Sequence, residues 1–237
     1  MINLKDQIDE LALETGLNLT TKQIEQLGIF ANLLRSSPRK SFASWDNDKS
    51  GLEIHFKDSF LSKPEFIPEK MLDIGSGAGI PGIIYAIIWP ETQVILLEAQ
   101  KQRCDFLKAA CKTLNFKPDK IEVIQGRAEE LAHDLKYREQ FDFVTARALS
   151  KFVSFLEYGI AFVKVGGYLH ALRGNNDILL IEENSKHLNI FSLQEINRKS
   201  YLLNPASTYR LSIIFRKVQK TDKLFPRKNK KIQSGKL

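Results

Sequence analysis

The feature that most constrains the fold is a glycine-rich segment that directly follows a short apolar run. It reads Met71-Leu72-Asp73-Ile74-Gly75-Ser76-Gly77-Ala78-Gly79-Ile80-Pro81-Gly82. Glycine at every second position allows positive φ angles and removes the Cβ atoms from the inside of the bend. A ligand can then contact main-chain N–H groups where the next helix begins. This order of strand, glycine-rich turn and helix predicts a nucleotide-binding α/β unit.

A second apolar run, Val94 to Leu97, ends in Glu98. An acid at the tip of the second strand of such a unit can accept hydrogen bonds from a ribose diol. Together, Glu98 and the glycine-rich segment form a more specific pattern than either one alone.

Short apolar runs alternate with helical patterns from residue 70 onward. Strands are predicted at Lys70–Ile74, Gln93–Leu97, Ile121–Gln125, Phe141–Thr145, Gly167–Leu172, Leu188–Leu193 and Leu211–Phe215. Helices are predicted at Pro81–Trp89, Lys101–Leu114, Ala128–Leu135, Ser150–Val163 and Asn176–His187. The alternation predicts an α/β fold with a mostly parallel seven-stranded sheet, helices on both faces and an antiparallel hairpin at one edge.

Two amphipathic helices are predicted ahead of this region, one over residues 4–17 and a second that is capped by Thr20 or Thr21 and ends before Ser36. Gln23 is placed to complete a capping box at the start of the second one. We therefore divide the chain into a helical cap and loop (1–62), a ligand-binding domain (63–218) and a basic tail (219–237).

Two ligand classes bind such a loop. A dinucleotide places its pyrophosphate on a turn with the spacing Gly-x-Gly-x-x-Gly. Gly77, Gly79 and Gly82 fit this spacing, but these glycines begin too far beyond the end of the strand. Asp73 would repel a pyrophosphate, whereas it suits a cationic ligand. The residues thus favour S-adenosylmethionine, with a sulfonium, an ammonium and a ribose, over a nicotinamide dinucleotide.

Several segments resemble the bacterial small-subunit (16S) ribosomal RNA guanine-N7 methyltransferases, also called glucose-inhibited division protein B or methyltransferase G. The segments are His55–Ser59, Leu72–Gly82, Gly126–Glu130, Thr145–Ala148, Ala171–Gly174 and Phe225–Lys228, and the Ile80-Pro81-Gly82 ending is the most specific. The resemblance covers about residues 20–237, but Ser36–Ser50 departs from the family pattern.

The resemblance implies a Rossmann-like class I methyltransferase fold that uses S-adenosylmethionine and modifies N7 of a guanine. Together with the two acids that flank the loop, Asp73 and Glu98, the expected cofactor-binding residues are Gly75, Ser76, Gly77, Gly79, Ile80, Ala128, Glu129 and Arg147. For Ala128 and Glu129, a helix start with favourable acids is an equally good interpretation of the residues themselves.

Guanine N7 is an acceptor lone pair that carries no proton, so its methylation requires no general base. Catalysis would depend on positioning, and Arg147 is the candidate catalytic residue that orients the base or a phosphate. A salt-bridged structural arginine is the alternative. Cys104 and Cys111 are expected to be core thiols, and the scattered histidines predict no metal site.

The net charge of +7 is concentrated at the C-terminus, where residues 216–237 hold nine basic residues and one acid. This pattern predicts contact with a polyanion or a solvated terminus. With the resemblance, it predicts 16S ribosomal RNA or the small ribosomal subunit as partner. The expected substrate-binding residues are Arg39, Lys40, His55, Arg227 and Lys228.

Two other functions remain open from the sequence: a nicotinamide-dinucleotide oxidoreductase, and a non-catalytic RNA-binding protein on the same fold. The composition predicts a cytoplasmic protein that neither spans nor binds a membrane, because long apolar runs and a secretory signal are missing and only two cysteines are present. A monomer is expected.

Overall fold

The computed structural model describes residues 3–37, 44–149, 151–174, 177–183, 187–203, 209–228 and 231–232. Its centre is a seven-stranded sheet in the order β3-β2-β1-β4-β5-β7-β6. The strands are β1 (Lys70–Ile74), β2 (Gln93–Glu98), β3 (Ile121–Gln125), β4 (Phe141–Arg147), β5 (Val163–Gly174), β6 (Leu193–Leu202) and β7 (Tyr209–Lys217).

The pairs β1–β2, β2–β3, β1–β4 and β4–β5 are parallel, and β7 is antiparallel to both β5 and β6. The strand order reverses between β1 and β4. Ligands bind at such a switch point in open α/β sheets, beyond the carboxyl ends of the strands. The predicted fold class is confirmed, including the hairpin of β6 and β7 at the sheet edge.

Apolar side chains on both faces of the sheet are covered by helices. Along β2, Val94 and Leu96 belong to one buried cluster, whereas Ile95 and Leu97 belong to the other. Since successive side chains of a strand point to opposite faces, the clusters lie on opposite sides of the sheet. The helices are α1 (Leu4–Glu14), α2 (Thr21–Arg35), α3 (Asp48–Gly51), α4 (Asp58–Ser62), α5 (Gly82–Ile88), α6 (Lys101–Thr113), α7 (Ala128–Leu131), α8 (Phe152–Ile160), α9 (Ile178–Glu183) and α10 (His187–Ile190).

The N-terminal helices pack on the main domain. Thr20 is the N-cap of α2 and forms the predicted capping box with Gln23. The Gln23 amide also donates to the carbonyl oxygens of Ile87 and Ile88, at 3.1 and 3.2 Å, which attaches α2 to the end of α5. A π-helical turn, Leu52–Lys57, joins α3 to α4.

One predicted element was wrong. Leu188–Leu193 was expected to be a strand, but α10 covers its first half and the strand β6 begins only at Leu193. A short apolar run does not distinguish a helical turn from a strand. The side chains of β6 are mostly exposed, because it is an edge strand, and its sequence therefore lacks the apolar alternation of a half-buried strand.

Within the described part of the chain, none of the helices has the length and apolar character needed to cross a membrane.

Candidate cofactor and acceptor site

A cavity of about 520 Å³, called the first cavity here, lies at the carboxyl ends of β1, β2, β3 and β4. The glycine-rich segment forms one wall. Gly75 and Gly77 have φ angles of +69° and +57°, a conformation that only glycine adopts without strain. A Cβ atom at Gly77 would meet no atom nearer than 3.7 Å, so it would occupy the space of the cavity. The loop is therefore shaped to let a ligand approach its main chain closely.

The N–H groups of this loop are mostly used inside the protein. Those of Gly75 and Ser76 donate to the Leu97 carbonyl oxygen at 2.8 and 3.1 Å, and that of Gly79 donates to Ser76 at 2.7 Å. These bonds fix the loop to the end of β2. The loop therefore contributes its shape to the site more than free hydrogen-bond donors, contrary to the expectation from its sequence.

The two acids next to the loop have different roles. Asp73 is buried, and its Oδ2 accepts a hydrogen bond from the Gly82 N–H at 3.1 Å; burial raises the pKa of Asp73 to about 7. It does not line the first cavity but joins the two ends of the loop. Glu98 lines the cavity, and its Oε2 accepts from the Gly77 N–H at 3.0 Å. Each Glu98 oxygen can still accept another hydrogen bond, so Glu98 fits a ribose hydroxyl.

Arg147, the last residue of β4, separates the first cavity from a second cavity of about 270 Å³. Its Nη1 donates to the Ile54 carbonyl oxygen at 3.0 Å and lies 3.5 Å from Oδ2 of Asp58. Its Nη2 donates to Nδ1 of His55 at 3.2 Å. Burial lowers the pKa of Arg147, while the nearby Asp58 carboxylate raises it. Segment 54–58 thus fixes the guanidinium between the cavities.

His55 supports Arg147 and is itself almost fully buried. Its Nε2 lies 2.8 Å from the Ser44 carbonyl oxygen, which can only accept, so Nε2 carries the proton. Nδ1 of the neutral ring then has a lone pair for Arg147. Burial lowers the pKa of His55 to about 4, which keeps the ring neutral at pH 7. Since both nitrogens are engaged, the ring positions Arg147 and offers no free nitrogen to a substrate.

The second cavity combines acids and arginines. Asp58 accepts a hydrogen bond from the Tyr201 hydroxyl at 2.8 Å, and its other oxygen lies 3.7 Å from Nε of Arg210. Arg173 and Asp177 complete the charged lining. Such a mixture of donors and acceptors can match the edges of a polar heterocycle.

The structure brings most of the predicted cofactor residues together. The first cavity is lined by Gly75, Ser76, Gly77, Ile80, Glu98, Ala128, Glu129 and Arg147, but not by Asp73 or Gly79. Among the predicted substrate residues, Arg39 and Lys40 lie outside the described residues. Arg227 and Lys228 lie at a third cavity, described below.

Several lining residues were missed in the sequence, among them three with large polar side chains. Arg103 and Tyr158 line the first cavity, and Arg210 lines the second. Arg103 follows β2 by five residues, so its proximity to the strand tip was a usable signal. Tyr158 lies within α8, which looks like an ordinary apolar helix, and Arg210 depends on the position of β7 in the sheet. Sequence spacing carries no signal for either.

A family model described as rRNA small subunit methyltransferase G matches residues 23–205. The chain belongs to this family. The ribosomal RNA small subunit methyltransferase G of Desulfitobacterium hafniense is 32% identical over 214 residues, covering 90% of this chain and 89% of that protein. The protein of the same name from Thermoanaerobacter sp. (strain X514) is 33% identical over 236 residues, covering 98% of both chains.

The fold is also similar to that of solved structures with little sequence identity. The structure of TYW2 from Methanococcus jannaschii, in complex with AdoMet, has a TM-score of 0.54 and 15% identity, covering 75% of this chain and 80% of that one.

Membership of the methyltransferase G family confirms the predicted enzyme class, a methyltransferase acting on ribosomal RNA with S-adenosylmethionine. It decides against the oxidoreductase and the non-catalytic alternatives.

Proposed function

We propose that this methyltransferase transfers the methyl group to N7 of a guanine in 16S ribosomal RNA. The observation that supports it most is that Arg147 lines two adjoining cavities, one suited to the cofactor and one to a polar base. Because N7 carries no proton, the reaction needs positioning rather than a base. This agrees with His55, whose two ring nitrogens are both engaged.

The first cavity is proposed to hold S-adenosylmethionine, which supplies an electrophilic methyl group on a sulfonium. Gly75, Ser76, Gly77 and Ile80 give the wall that its main body would contact, and Glu98 would accept from the ribose. Further contacts are proposed for Ala128 and Glu129 after β3, Tyr158 of α8 and Arg103 of α6, which also line this cavity. Asp73 acts indirectly, by fixing the loop at Gly82.

The second cavity is proposed to hold the guanine. Guanine presents a carbonyl oxygen, O6, beside N7, and N–H donors on its opposite edge. Arg147 or Arg210 can donate to O6, and Asp58 can accept from the N–H groups. Alkylation of N7 makes the guanine ring positive, and the negative charge of the Asp58 carboxylate would stabilise this positive charge.

A single-atom change in the RNA tests the acceptor. The substrates are an unmodified 16S ribosomal RNA transcript and the same transcript made with 7-deazaguanosine, in which C–H replaces N7. We expect methyl transfer from labelled S-adenosylmethionine to the first RNA only. Equal transfer to the deaza RNA would refute N7 as the acceptor.

The matched protein control is Arg147→Lys, which keeps the charge but loses the forked donor geometry. It is expected to lower transfer to the normal RNA without changing the outcome for the deaza RNA. The assay should be run on naked RNA and on small ribosomal subunits, since either is a proposed partner. A monomeric state and a cytoplasmic location stay predictions.

A further inference from the structure

The basic C-terminal segment (residues 219–237) packs against the main domain over its described part. The Arg227 guanidinium and N–H donate to the buried Glu157 carboxylate of α8, at 2.7 to 2.9 Å. Farther along, the Ser154 hydroxyl donates to the Ile232 carbonyl oxygen at 2.7 Å. A merely solvated terminus would make no such contacts, so the described part of the segment belongs to the fold.

Side chains near α7 hold the main chain of the same segment. The Arg138 guanidinium donates to the carbonyl oxygens of Thr221, Asp222 and Phe225, at 2.8 to 3.1 Å. Nε2 of His133 lies 2.9 Å from the Pro226 carbonyl oxygen. These bonds fix the backbone from which the lysines project, so the positive charges have defined positions.

The described part of the segment and the residues around α7 line an open third cavity of about 780 Å³. Its described lining has five basic side chains, Arg127, Lys223, Arg227, Lys228 and Lys231, against two acids, Glu129 and Glu130. Lys223 and Lys228 are exposed and, among the described residues, neither is within 4.0 Å of a carboxylate oxygen. The cavity therefore presents unneutralised positive charge.

The third cavity borders the first, because Arg127 and Glu129 line both. The second cavity adjoins the first on the Arg147 side. Because the first cavity borders both of the others, a polyanion whose base reaches the second cavity can extend past the first cavity toward the third. Lysines bind phosphates as point charges without reading sequence.

We propose that the third cavity binds the phosphodiester backbone of the RNA substrate, with Lys223 and Lys228 as phosphate contacts. This inference rests on the proposed function only for the identity of the RNA. The phosphate contacts orient the strand across the site, while base recognition occurs at the second cavity.

Charge reversal at two positions tests the proposal. Lys223→Glu/Lys228→Glu changes the third cavity, and Lys22→Glu/Lys117→Glu makes the same charge change at exposed lysines near the amino ends of the strands. A neutral variant, Lys223→Gln/Lys228→Gln, avoids new repulsion. Affinity of each full-length protein for an unmodified 16S ribosomal RNA transcript is measured by fluorescence anisotropy over a range of salt concentrations.

Both third-cavity variants should bind RNA more weakly, and the slope of log K against log salt should become shallower by about 1 for each lysine lost. The control pair should keep nearly the wild-type slope. Calorimetry with S-adenosylmethionine should give unchanged cofactor affinity, which shows that the site is intact.

Equal affinities and slopes in the third-cavity and control variants would overturn the inference. A loss of cofactor affinity equal to the loss of RNA affinity would also overturn it, because the lysines would then act on the fold. Failure of the proposed function gives a different result: the wild type would transfer methyl equally to the normal and 7-deazaguanosine RNA, while the binding differences remain.

Discussion

His55 allows a sharp test of how Arg147 is positioned, because its two ring nitrogens have separate partners. Nδ1 accepts from Arg147 at 3.2 Å, and Nε2 donates to Ser44 at 2.8 Å. The amide of asparagine reaches the position of Nδ1, whereas the longer glutamine reaches that of Nε2. His55→Asn therefore keeps the Arg147 contact, and His55→Gln keeps the Ser44 contact.

The expected effect follows from the charge of the donor. A hydrogen bond to a charged group contributes about 1.5–3 kcal/mol, and one between neutral groups contributes about 1 kcal/mol. If Arg147 is held in this geometry in the transition state, His55→Gln removes the hydrogen bond from Arg147 and lowers kcat/KM by roughly 10- to 150-fold. His55→Asn should stay within about threefold of wild type in kcat/KM while losing about 1 kcal/mol of stability.

The assay is methyl transfer to the 16S ribosomal RNA transcript under single-turnover conditions, together with urea unfolding of each variant. Unfolding separates a catalytic effect from loss of folded protein. If His55→Gln retains activity and His55→Asn loses it, the Arg147 contact is not what His55 contributes. Equal activity of both variants at the wild-type level would refute a positioning role altogether.

Two further predictions concern stability. Burial lowers the pKa of His55 from 6.5 in the unfolded chain to about 4 in the folded protein. Between these pH values the unfolded chain binds more protons than the folded one. The contribution of His55 to the free energy of unfolding should therefore fall by about 3 kcal/mol as the pH drops from 7 to 4. Urea unfolding at several pH values should show a correspondingly shallower dependence in His55→Gln, and an unchanged dependence would contradict the assignment. Lys217 is fully buried and its Nζ donates to Glu139 and to the Ile160 and Val163 carbonyl oxygens, so Lys217→Met should cost about 2–4 kcal/mol in urea unfolding. The exposed Lys220→Met should change stability by less than about 0.5 kcal/mol, and equal effects of the two would refute the argument.

The Lys217 contacts also affect how RNA binding can be studied. Deleting residues 216–237 is the obvious test from the charge pattern, but it removes the end of β7 and a buried lysine. A loss of RNA affinity in that truncation would not separate a contact from damage to the fold. Point variants at Lys223 and Lys228 avoid this problem.

Local sequence signals determined the architecture. The glycine-rich segment, the acid at the end of β2 and the apolar runs predicted the nucleotide-binding unit and its parallel strands, since they depend on backbone conformation and periodicity within a few residues. The capping box at Thr20 was predicted for the same reason. The strand β6 was misplaced, because an exposed edge strand has little apolar alternation to detect.

The arrangement of the site was decided by tertiary structure. Arg147 donates to Ile54 and His55, residues more than ninety positions earlier in the chain, and Arg210 reaches Asp58 only because β7 lies next to β5. Asp73, which the sequence predicts to bind the cofactor, does not line the first cavity and accepts a hydrogen bond from the Gly82 N–H. Spacing along the chain specifies strands, turns and helix ends, but the direction of a side chain and the partner that satisfies it are set by which elements pack together.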